Sequence, residues 1–160
     1  EVSRASGSGV FTTVTTTAAM SFNDATVAAS TVYVYKVRAI DAAARTSPFS
    51  TPDPATTIAF TDDPLIEGVT PIKVAHLIEL REAINGLRAT AGLTPATFTD
   101  PTLTSSIRVK AVHLQELRTA LTAARSAFGM SAISFTDATL IAGATEVKST
   151  HVQDLRNGVK

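Results

Sequence analysis

Phe60-Thr61-Asp62, followed by His76-Leu77-Ile78-Glu79-Leu80-Arg81, decides how this chain is read, because it occurs three times. It returns as Phe98-Thr99-Asp100 with His113-Leu114-Gln115-Glu116-Leu117-Arg118, and again as Phe135-Thr136-Asp137 with His151-Val152-Gln153-Asp154-Leu155-Arg156. The tripeptides lie 98 − 60 = 38 and 135 − 98 = 37 residues apart, and the histidines 37 and 38. Lys73, Lys110 and Lys148 each stand three residues before their His. A period of this size denotes stacked supersecondary units, each needing its neighbour to bury an apolar stripe.

Within each unit the apolar spacing is helical. Leu77, Leu80, Ile84 and Leu87 recur at three and four residues, as do Leu114, Leu117, Leu121 and Phe128. Thr70-Pro71 reads as a helix start, and Gly92 and Gly129 as left-handed helix ends. The units are placed at 58–95, 96–132 and 133–160, the third as a short capping repeat and the true C-terminus. Leu80, Leu117 and Leu155 are expected to be equivalent buried positions.

Upstream the grammar is β. Thr, Val, Tyr and Ser dominate residues 1–57, and Thr31 to Ala39 alternates with Tyr33, Tyr35, Val37 and Ala39 on one face. Lys36 and Arg38 occupy the other face, where the apolar Val34 predicts partial cover. Weaker strands are expected at 1–5, 10–17, 19–23 and 48–50, with a hairpin turn at Gly7-Ser8-Gly9. Ser50-Thr51-Pro52-Asp53-Pro54 reads as a stiff hinge between the halves. Glu1 falls inside a strand-like pattern, so sequence is expected to precede it. The fold class is α+β multidomain: a partial antiparallel β-sandwich over 1–57 and a small three-repeat helical module over 58–160.

Composition narrows the function. Lys plus Arg and Asp plus Glu both number 14, which argues against binding nucleic acid through surplus cations. The chain has no cysteine, which excludes disulfides, thiol nucleophiles and thiolate metal sites. No apolar run reaches membrane-spanning length. No Gly-x-Ser-x-Gly elbow, phosphate loop or His-Glu-x-x-His occurs, so neither catalytic residues nor a cofactor are expected.

The repeated polar residues admit two readings. His76, His113 and His151, with Glu79, Glu116 and Asp154, have the helical spacing of a metal site. The alternative, favoured by one copy per unit, is structural: each His bonds a carbonyl or Asp of the neighbouring leading segment. Asp62, Asp100 and Asp137 are read as turn or cap formers, because one carboxylate per unit falls short of a calcium shell. Arg81, Arg118 and Arg156 are their expected ion-pair partners, and Phe60, Phe98 and Phe135 core anchors.

Residues 1–55 resemble the later strands of a fibronectin type III domain through Val2-Ser3-Arg4-Ala5-Ser6, Phe11-Thr12-Thr13-Val14, Phe22-Asn23-Asp24, Thr31 to Asp41 and Ser47-Pro48-Phe49-Ser50. The resemblance implies a corner role for Tyr33, its hydroxyl tying back to the backbone. The first two strands and the usual core Trp are missing, and no Arg-Gly-Asp supports integrin-type adhesion. Residues 56–160 resemble C-terminal repeat regions of large bacterial surface proteins. The Phe-x-Asp opening is superficially similar to surface-layer homology modules, whose Thr-Arg-Ala-Glu signature is missing here.

Together these readings predict a non-catalytic secreted or cell-surface protein, structural or adhesive, whose C-terminal repeats serve attachment, display or assembly, filaments included. The alternative is a carbohydrate-binding accessory module of a secreted hydrolase; few aromatics and no Trp weaken it. Expected partners are other segments of the same larger protein, neighbouring subunits or a surface glycan, with no nucleic acid and no membrane span.

Overall fold

The alternating stretch around Tyr33 becomes the longest strand of a four-stranded antiparallel sheet. In the computed structural model, which describes residues 1–7 and 9–160, the strands are β1 (Val2–Ala5), β2 (Thr12–Thr15), β3 (Val32–Val37) and β4 (Asp53–Thr56). Their order is β2-β1-β3-β4. Arg4 pairs with Tyr35 and Tyr33 with Ala55. Three helices follow: α1 (Val74–Thr90), α2 (Ala111–Ala127) and α3 (Ser149–Asn157). The architecture is α+β. Ser8 of the expected Gly7-Ser8-Gly9 turn lies outside the described residues.

Several boundaries differ from the sequence reading. The expected hinge is in part a strand: Asp53 and Pro54 pair with Tyr35 and Val34, and β4 is an edge, where a proline lacking its N–H is tolerated. No strand forms at 48–50. There the Ser47 and Ser50 hydroxyls accept the Ala39 and Val37 amides at 3.0 Å each, replacing ladder carbonyls beside Pro48. No strand forms at 19–23 either.

Helix α1 starts at Val74, three residues after Pro71. Thr70 is not its cap; its hydroxyl accepts the Ile66 amide instead. The start is set by His76 at the third helical position, whose Nδ1 accepts the backbone N–H of Lys73 at 3.2 Å. This is a histidine version of the one bond that Glu or Gln sends back in a capping box, while the His76 N–H meets the Lys73 carbonyl at 3.2 Å. His113 and His151 do the same for Lys110 and Lys148. At the other end, Gly92 and Gly129 have φ of 71° and 67°. There Leu93 and Met130 donate back to the carbonyls of Arg88 and Arg125, closing each helix with a six-to-one bond.

The two halves share one core. Val32, Val34 and Ile58 cluster with Leu77, Leu80, Leu87, Leu117, Leu121 and Leu155. Leu80, Leu117 and Leu155 are all fully buried. The sheet face carrying Val32 and Val34 lies on α1, where Gly86 allows close approach: a Cβ there would stand 2.8 Å from Val32 Cγ2. Phe11 reinforces the joint, edge-on to Phe128 at 6.3 Å. On the opposite sheet face Tyr33 is buried and meets Ala28, Tyr35 is half-buried and Val37 is exposed.

Candidate functional site

Every polar residue of the repeated motif has a specific contact, and the contacts recur unit by unit. His76 Nε2 lies 3.1 Å from Asp62 Oδ2, His113 Nε2 3.0 Å from Asp100 Oδ2, and His151 Nε2 2.9 Å from Asp137 Oδ2. Because Nδ1 of each ring accepts a backbone N–H, the proton of a neutral ring sits on Nε2 and points at the carboxylate. Lys73, Lys110 and Lys148 reach the same oxygens at 2.7, 2.9 and 2.7 Å. These ammonium bonds first, and the His bonds second, hold the three Asp carboxyls below the usual range. The Asp backbones are left-handed, with φ of 53°, 51° and 48°, a conformation Asp tolerates better than most residues.

The acid of each helix binds the same leading segment. Glu79 accepts the Thr61 amide and hydroxyl, Glu116 those of Thr99, and Asp154 the Thr136 amide. The shorter Asp154 makes the amide bond alone.

The arginines connect one unit to the next. Arg81 donates to the carbonyls of Asp100 and Thr99 at 2.9 and 2.7 Å, and its guanidinium lies 4.7 Å from the Phe98 ring centre. Arg118 repeats this on Asp137, Thr136 and Phe135. Arg156, in the last unit, reaches back to the first: it donates to Asp62 and Thr61 at 3.0 and 2.6 Å and lies 4.9 Å from the Phe60 ring. The three units therefore close head to tail into a ring, whereas the sequence suggests an open stack with a cap. Lys160, paired with Asp63, fastens the same seam. Burial pulls all three guanidinium pKa values down, and nearby carboxylates partly oppose it.

This corrects the expected pairing of Arg with the Asp side chains. The Asp carboxylates are taken by His and Lys of their own unit, while each Arg clasps backbone carbonyls of the following one. The three histidines each serve a separate unit, and among the described residues no three metal-ligating side chains converge. The Thr–acid contact has its signal in the sequence, a Thr in every tripeptide and an acid three residues after each His, but spacing alone does not pair them.

Tyr33, in the sheet, is buried, and its hydroxyl accepts the Ala28 N–H at 2.7 Å. Beside it lies a second polar cluster. Arg4 pairs with Asp24 at 2.6 Å, and Tyr35 donates to the same carboxylate at 2.9 Å. Bonds from Thr26, then Tyr35 and Arg4, bring the Asp24 pKa to about 2. These residues border an open concavity of about 960 Å³ on the uncovered sheet face, lined by Val2, Met20, Phe22, Tyr35, Val37 and Phe49 among others.

Among the described residues no helix is long and apolar enough to cross a membrane. The chain matches no protein-family model, no curated protein sequence and no solved structure.

Proposed function

We propose that the chain is a non-catalytic structural element of a secreted or cell-surface protein, in which a partial fibronectin type III-like sandwich carries a three-repeat helical module for attachment, display or assembly. The observation that carries this reading is the ring itself. Its His, Lys, Asp, Thr, acid and Arg side chains are spent on holding Phe-Thr-Asp segments to helices, in the same way in all three units. Catalytic groups would be expected to converge once on a cavity and to differ from their counterparts elsewhere.

The fibronectin-like reading is supported by the Tyr33–Ala28 tie and by an antiparallel sheet whose strands run β2-β1-β3-β4, with Val37 exposed on the face away from the helices. The accessory-module alternative has one feature in its favour, the aromatic residues Phe22, Tyr35 and Phe49 around the open concavity.

Fusing residues 1–160 to a secreted reporter tests the proposal. A cell-bound or multimeric reporter is the expected result. Retention on insoluble polysaccharide that disappears in Tyr35→Ala would establish the accessory reading instead. Stoichiometric zinc uptake that disappears in His113→Ala would return the histidines to a metal site.

A further inference from the structure

The ring closes at a seam between units that are not consecutive in the chain. Arg156 clasps the Asp62 and Thr61 carbonyls over Phe60 just as Arg81 and Arg118 clasp the units that follow them in sequence. At the same seam the Leu65 amide donates to Gln153 Oε1 at 3.3 Å, and Lys160 pairs with Asp63. None of these contacts depends on which chain supplies the third unit. A third unit from another copy brings the same Arg, Gln and Lys to the same atoms.

The segments joining the units are unequal. Residues 92–97, between α1 and Phe98, contain Pro95 and are tethered twice by side chains. The Ala96 amide donates to Asn85 Oδ1 at 2.8 Å, and Arg88 Nε donates to the Thr94 carbonyl at 3.0 Å. In residues 129–134, between α2 and Phe135, Ala132 stands in the place of Pro95 and Thr122 in the place of Asn85. Among the described residues one side-chain bond holds that segment, from Arg125 to the Ser131 carbonyl at 3.3 Å, and Ser131, Ala132 and Ser134 are exposed. The helix it carries is also the shortest, 9 residues against 17 in α1 and α2.

From these features we infer that the third unit is exchangeable and that its partner is a second copy of this chain. Residues 135–160 of each copy close the ring of the other. Every seam contact of the monomer recurs in the exchanged dimer, so the two states differ in the path of residues 129–134 and in the entropy of association. A unit tethered in its own chain has an effective concentration on the order of 1 mM. The closed monomer therefore prevails in dilute solution, and the exchanged pair forms where chains fold side by side.

This inference rests on the assembly reading proposed above, to which it gives a partner, and it fails separately. Deleting Ser131 and Ala132 leaves the joining segment too short for the third unit to fold back, a change that drives exchange when the seam accepts a foreign unit. The expected product is a folded dimer by sedimentation equilibrium, and a folded monomer overturns the inference. Should the shortened chain not fold, a charge exchange in the full chain decides. Asp63→Lys and Lys160→Asp each set like charges across the seam of a closed monomer, and only an exchanged heterodimer restores opposite charges in both rings. The two variants, unfolded together and refolded at about 1 mM, should give heterodimer in about threefold excess over the homodimers by native mass spectrometry, as two exposed ion pairs supply. Absence of dimers, or heterodimer at its statistical share, overturns the inference whatever the shortened chain does. With exchange overturned, a reporter that is still multimeric or cell-bound leaves the proposed function standing. A free, monomeric reporter beside a confirmed heterodimer removes that function and leaves the exchange.

Discussion

The ring and the sheet sit on one core, yet they close in opposite ways. In the ring the motif's polar groups meet partners within the chain, and the last unit returns to the first through Arg156. In the sheet one face is sealed by α1 and the other presents Val37 and Phe22 to solvent. A closed ring has no free end on which further repeats can stack, so end-to-end growth of the helical part is disfavoured.

The sharpest way to break this contrast is through the ring's interior. Leu117 is fully buried at the centre of the middle unit. Leu117→Ala should destabilise the chain by about 2–5 kcal/mol, the cost of lost transfer energy plus a residual cavity. Because the sheet shares this core, its unfolding in urea should shift with that of the helices as one transition. Separate transitions would mean that the two regions are independent.

Arg156→Ala opens the ring at its seam. It removes two hydrogen bonds to backbone carbonyls and the stack on Phe60, and should cost about 1–3 kcal/mol in denaturant unfolding. Arg156→Lys should recover little of this, since an ammonium lacks the planar fork that reaches both carbonyls. If Arg156→Ala is neutral while Arg81→Ala is not, the arrangement behaves as an open stack.

A smaller effect is expected where the two regions meet. At an exposed mid-helix position Gly→Ala gains about 1 kcal/mol of helix propensity. At Gly86 the new methyl meets Val32 Cγ2 at 2.8 Å, and overpacking of this kind costs about 1–3 kcal/mol. Gly86→Ala should therefore lose about 1 kcal/mol net by thermal denaturation. A stabilised variant would mean that the sheet does not press on α1.

How far the sequence carried these features depended on how local they are. The helices were legible because Leu77, Leu80, Ile84 and Leu87 repeat at helical spacing, and their ends because Gly92 and Gly129 stand where φ must be positive. Thr70-Pro71 does not mark the start of α1, because what sets it is a histidine capping through Nδ1, which is not one of the usual sequence signals. Ring closure was not legible at all. The motif of Arg156 is the same whether its target is a following unit or the first one, and 156 − 62 = 94 residues separate it from Asp62. Strand β4 was hidden because Pro52 and Pro54 look like a linker until their position at a sheet edge is known.

The smallest effect separates the two regions by acid. Asp62, Asp100 and Asp137 are held below the ordinary aspartate range by their Lys and His partners. Asp24 in the sheet is held at about 2 by Thr26, Tyr35 and Arg4. In each case the folded pKa lies below the unfolded one of about 3.9. The unfolded state then binds more protons in acid, so each carboxylate contributes stability above the unfolded pKa and loses it as pH falls through the folded pKa. The ring carboxylates are shifted less than Asp24, so they should protonate first on acidification from pH 5 and loosen the three His-capped helix starts while the Arg4–Asp24–Tyr35 cluster remains ionised. Carbon-13 carboxyl shifts of the four aspartates, followed by NMR through the acid titration, measure the order directly. Asp24 titrating before or together with the ring residues would show that its Thr26, Tyr35 and Arg4 bonds are not maintained in solution. Replacing Asp62, Asp100 and Asp137 by Asn should flatten the acid dependence of ring stability and leave the Asp24 titration where it was.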